Sequence, residues 1–105
     1  MAWIILTFAG LLEVVWAFAM KRSDGFTRLG PSIVTLIAMI ISFALLARAM
    51  RDLPLGTAYT VWTGIGAVGA FVLGIVVLDE QASPMRIVAA MLVIGGLVLM
   101  RVSEG

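Results

Sequence analysis

Four long apolar stretches separated by short polar links constrain this chain more than any other feature. They run from about Ala2 to Met20, Leu29 to Ala47, Thr57 to Leu78 and Ala82 to Met100. Each holds about 20 residues, the number of helical residues that crosses a hydrocarbon core roughly 30 Å thick. The other spanning structure, a closed barrel, alternates polarity at every second residue, and these stretches do not. The spacing therefore predicts four transmembrane helices forming a single all-α domain over residues 1–105. Composition agrees: 63% of the residues are hydrophobic and only 12% are charged. A soluble domain this small buries too little of its surface to hide so much apolar area.

The first stretch differs from a secretory leader, because it lacks a basic start and its apolar run is too long. The links Lys21–Gly25, Arg51–Gly56 and Asp79–Pro84 carry turn residues and are short enough to make sequential helices antiparallel. Asp79 and Glu80 read as a solvated acidic pair. Arg86 stands near the start of the fourth stretch, where its side chain can reach the interface. No internal repeat is apparent.

Several chemistries are excluded at once. There is no cysteine and no histidine, so disulfides, thiol catalysis, imidazole triads and metal sites built on those ligands are not available. No metal, cofactor or enzymatic activity is expected. Net charge is +1, which gives no footprint for nucleic acid.

The basic residues are almost evenly divided between the two membrane faces. Lys21, Arg22, Arg28 and Arg86 lie on the side of the first and third links; Arg48, Arg51 and Arg101 lie on the other. Since the balance of Lys and Arg sets orientation, this near-equality leaves two readings. Either a small protein inserts one way on a weak bias, or the same chain inserts both ways and pairs with itself in antiparallel fashion.

Glu13 is the one ionisable residue deep in a span, about 16 Å from its start. A charge there costs at least about 2.5–3.5 kcal/mol. The bland reading is a structural carboxyl that stays protonated between helices. The functional reading is a site where protons and a cation compete for the same oxygens, a competition that burial and a neighbouring carboxylate both promote. Trp16 shares the Glu13 face at i+3, as do Gly10 and Ala17. Tyr59 and Trp62 are likewise three apart. Aromatic faces attract a desolvated cation that a carboxylate neutralises. Tyr59 and Ser42 carry hydroxyls that could donate to Glu13. Trp3 fits an interfacial belt, whereas Trp16 lies too deep for one.

Gly64, Gly66 and Gly69 form a GxGxxG string, but no strand precedes it and its surroundings are wholly apolar, which rules out a nucleotide loop. Gly66, Ala70 and Gly74 instead make a small-residue stripe suited to close helix contact or bending. Ala89, Ala90, Gly95 and Gly96 make the fourth helix similarly smooth.

These residues in combination resemble the small multidrug resistance family from end to end, and within it the guanidinium-exporting subtype. The matching stretches are Gly10–Ala17, Gly25–Ser32, Ser42-Phe43 and Pro54–Gly66. The resemblance implies a multi-pass protein of the bacterial inner membrane, active as an antiparallel homodimer that exchanges protons for a small guanidinium-like cation. It implies that Glu13 is the shared proton and substrate carboxylate and that Trp16, Ser42, Tyr59 and Trp62 line or orient its site. The third-helix glycines would mark a moving helix. Multidrug members carry a small residue in place of Trp16 and a tyrosine in place of Met39. They also carry a glycine where this chain has Ala89, while Gly96 is kept. The alternatives are broader export of quaternary ammonium compounds by the same family, or a structural or rotor-like membrane subunit. A rotor subunit needs two helices and has no use for the Trp16, Tyr59 and Trp62 cluster.

Overall fold

The computed structural model describes residues 1–104. Among them are four helices and no strand: α1 Ala2–Arg22, α2 Leu29–Ala49, α3 Leu55–Val76 and α4 Pro84–Glu104. All four are long and apolar enough to cross a membrane.

The ends differ from the expected ones for local reasons. α1 runs on through Lys21 and Arg22, and α2 through Arg48, because cations are favourable in the last turn of a helix and their long stems reach the interface. α3 starts earlier, at Leu55, since Pro54 stands outside the helix with extended backbone and accepts the Ala58 N–H at 2.9 Å. It also stops earlier, at Val76, ahead of a left-handed Asp79 at φ 59°. α4 begins at Pro84 rather than Ala82. Ser83 caps it, its hydroxyl accepting the Arg86 N–H at 3.3 Å, and proline suits the first helical position. Arg86 lies over the Phe71 ring, 5.5 Å from its centroid.

The α1–α2 link is held by its own side chains and backbone. Ser23 is fully buried; its hydroxyl donates to the Met20 carbonyl at 2.6 Å and accepts the Phe26 N–H at 3.0 Å. Asp24, Gly25 and Phe26 then pass through left-handed backbone one after another.

α1 is the central element. It packs against both α2 and α3, and α2 meets α3 along a short edge. Leu6 and Ala9 of α1, Leu46 and Ala49 of α2, and Ala58, Val61 and Trp62 of α3 form the buried cluster. Each helix gives this cluster one alanine, which lets the backbones approach, because helices in lipid associate by close contact rather than by escape from water. α4 packs on α3 and reaches α1 only through Arg101, which lies over the Trp3 ring, and none of its described side chains is buried. Leu92 is 72% exposed and Leu99 69%, on a helix whose outer face meets no other part of the chain.

Candidate functional site

The site is built where α1, α2 and α3 meet. Glycines on α3 and α1 let the helices approach at three heights along one seam. A side chain on Gly10 would overlap Ile65, one on Gly69 would overlap Val14, and one on Gly66 would overlap the Glu13 carboxyl. The Glu13 head therefore lies directly on the α3 backbone, over the Gly66 Cα. Gly64, two residues earlier, faces the other way and receives Leu97 of α4. The α3 glycines thus serve two neighbours: Gly66 and Gly69 serve α1, and Gly64 serves α4. Of the expected stripe, Gly66 holds a side chain of α1, whereas Gly74 faces the α3–α4 link through Glu80 instead of another helix.

Ser42 does not reach Glu13 as expected. It is fully buried on α2, where its hydroxyl donates to the Ala9 carbonyl at 2.7 Å and accepts the Trp62 indole N–H at 3.0 Å. The reason is that its single proton is taken by a backbone acceptor one turn before Glu13. In an α-helix that carbonyl is also the acceptor for the residue 13 amide. Ser42 therefore ties α2 and Trp62 to the turn that carries Glu13, and it orients the site through the backbone.

The aromatic wall is continuous and includes one residue that sequence reasoning passed over. Phe43 stands edge-on to Trp16, with centroids 6.3 Å apart and planes at 72°, and tilts against Trp62 at 5.6 Å. Tyr59 extends the row, 5.6 Å from Trp62. The signal for Phe43 was its place beside Ser42, but alternate faces of an apolar helix gave no reason to choose it. Tyr59 itself is half exposed and opens onto a groove of about 560 Å³ between α3 and α4, also lined by Thr60, Thr63, Gly64, Gly96 and Met100. Met39 lies half-buried on α2, and a side chain added at Gly96 would meet open space.

Two polar atoms at this junction are buried with no hydrogen-bond partner in the chain: one carboxyl oxygen of Glu13 and the indole nitrogen of Trp16. Buried unpartnered groups cost about 1–3 kcal/mol each, and native proteins keep few of them. The open carboxyl oxygen, on an aromatic row, can accept an N–H from a cation, whereas the Trp16 indole, itself a donor, can offer the cation only its ring face. No cluster of His, Cys, Asp or Glu able to hold a metal ion occurs among the described residues.

Comparison with known proteins gives the family. The profile of the Small Multidrug Resistance protein family matches residues 1–93. The chain is 58% identical over 103 residues to a protein named guanidinium exporter from Escherichia coli (strain K12), covering 98% of both chains. A Shigella flexneri protein of the same name is equally similar, and one from Citrobacter freundii is 57% identical over the same span. A multi-pass membrane protein with one intramembrane carboxylate, matched over nearly its whole length, this chain belongs to the small multidrug resistance family.

Proposed function

We propose that this protein exports guanidinium and small guanidinyl cations across the bacterial inner membrane in exchange for protons, working as an antiparallel homodimer. The observation that carries the reading is the buried Glu13 oxygen without a partner, on the same helix face as the Trp16 ring and its aromatic row. The names of the relatives support the same substrate. Guanidinium is planar and presents only donors, which carboxylates accept in parallel pairs. One chain supplies one carboxylate, whereas a two-fold dimer brings two to the midplane. Coupled acids titrate as a pair, so protons and cation exclude one another there. The outer face of α4, with Leu92 and Leu99 largely exposed, supports a second copy as its cover.

Selectivity follows from the shape of the site. Trp16 fills volume one turn from Glu13, and a compact tetraalkylammonium ion brings no donors to the carboxyl oxygens, which would leave acceptors unpaired at about 1–3 kcal/mol each. In proteoliposomes, guanidinium and singly substituted guanidines are expected to drive proton flux at least about tenfold better than tetramethylammonium. Half-buried Met39 can yield to one slender alkyl tail. Equal fluxes with the tetra-substituted ion would favour the multidrug reading instead.

Dual insertion has its own test. A C-terminal reporter should appear on both sides of the membrane in comparable amounts, as the four-to-three division of basic residues leads one to expect. Two lysines added to one face should bias insertion and silence the variant when expressed alone. A wild-type reporter confined to one side would rule out the antiparallel pair.

A further inference from the structure

We infer that the α3–α4 link is a latch, closed by Glu80 on Gly74, which sets the rate at which α3 moves between the two openings of the transporter. This rests on the exchange mechanism proposed above, in which the dimer alternates between an inward and an outward opening as α3 moves. The link folds back along the end of α3. The Glu80 N–H donates to the Gly74 carbonyl at 2.9 Å, and the Leu78 N–H reaches the Leu73 carbonyl at 3.4 Å. The reversal is made at Asp79, whose left-handed backbone is tolerated by aspartate more readily than by most residues. The Glu80 carboxyl then lies against the buried Gly74, in space that any side chain at position 74 would fill.

The closure is weak by construction. The last turn of a helix carries negative partial charge, so a carboxylate there is repelled rather than held. Among the described residues Glu80 has no basic partner, and Arg86 is turned onto Phe71. What keeps the link down is the pair of backbone hydrogen bonds and the packing of the Glu80 side chain in the space left by the missing Gly74 Cβ, which outweighs that repulsion and is lost in alanine but kept in glutamine. Apart from Arg101 over the Trp3 ring of α1, α4 packs on α3 alone, so this link, the Gly64–Leu97 contact and Arg86 over Phe71 hold the angle between α3 and α4. α3 also carries Gly66 beneath Glu13. A change of the α3 angle at Glu13 must either carry the link with it or open the latch.

The test uses the full-length dimer in lipid bicelles, with guanidinium as the ligand. NMR exchange measurements report the interconversion of the two openings, and amide hydrogen exchange reports the residue 80 N–H. Glu80→Ala and Gly74→Ala should each speed interconversion about threefold, the size expected for losing one contact at a helix end. Each should also deprotect the residue 80 amide and leave guanidinium affinity within about twofold of wild type. The double variant should be no faster than either single one, because both remove the same contact. Glu80→Gln keeps the shape and removes the repulsion, so it should slow interconversion. Should Gly74→Ala fail to fold, the two Glu80 variants carry the test by their opposite signs. Unchanged rates in both Glu80 variants, the same sign for Ala and Gln, or additive effects in the double variant would overturn the latch. A wild type that samples a single opening overturns it together with the exchange mechanism. Two openings that interconvert without moving guanidinium refute only the substrate.

Discussion

Glu13→Gln is expected to abolish the exchange of guanidinium for protons while leaving the protein inserted and folded. The amide is close to the carboxyl in size, and Gly66 gives it the same backbone floor to rest on. Folding should not suffer, because the carboxyl oxygen that faces Gly66 makes no hydrogen bond whose loss would destabilise the bundle. Two things are lost. The amide has no charge to balance a guanidinium cation, and a hydrogen bond to an ionised group is worth about 1.5–3 kcal/mol, or roughly 10- to 100-fold in affinity. The amide also cannot take up or release a proton, so whatever cation still binds is no longer coupled to the gradient. Proton flux driven by guanidinium in proteoliposomes should fall to the level of empty vesicles. Size-exclusion and circular dichroism profiles should match the wild type. Proton-driven guanidinium uptake near the wild-type rate in Glu13→Gln would place the coupling elsewhere in the chain.

The fold was legible in the sequence because lipid imposes one rule, that backbone polar groups be satisfied within each span, and apolar runs of helical length obey it visibly. Helix ends were read less well. Lys21, Arg22 and Arg48 looked like loop residues by charge, yet each sits in a last helical turn where the backbone dipole welcomes it. Glu13 and its aromatic companions were legible for the opposite reason: they violate the apolar rule, and a violation needs a function. The partners of each residue were not legible. A helix that is apolar on every side has no polar face to orient it, so sequence gave no means of telling that Gly66 meets Glu13 while Gly64 meets Leu97. Ser42 shows the same gap. Its hydroxyl was placed at Glu13 by chemistry alone, and the structure gives its proton to Ala9 one turn away. Phe43 was hidden among other apolar residues of α2, although it joins Trp16 to Trp62.

The seam glycines separate stability from function, and alanine substitution should show the division. At Gly10 the added methyl would strike the Cβ and Cγ2 of Ile65, which is branched and stiff, so the helices themselves must part. Gly10→Ala is expected to cost about 1–3 kcal/mol in stability, the usual range for overpacking, and to lower the temperature of unfolding in detergent. At Gly66 the same methyl would strike the end of the Glu13 side chain, which is flexible and can swing aside. The fold should tolerate Gly66→Ala, with stability within about 1 kcal/mol of wild type. The carboxyl, however, would leave its floor, and a displacement near 1 Å at a binding or reacting group can cost about 100-fold. Guanidinium-driven proton flux in Gly66→Ala should therefore fall by at least about tenfold, with insertion and dimer content unchanged. Gly30→Ala serves as the control, since a methyl there meets open space. It should alter neither stability nor flux. If Gly66→Ala unfolds the protein as Gly10→Ala does, the seam is purely structural at that height. If it transports like the wild type, the seat of Glu13 on Gly66 does not govern the chemistry.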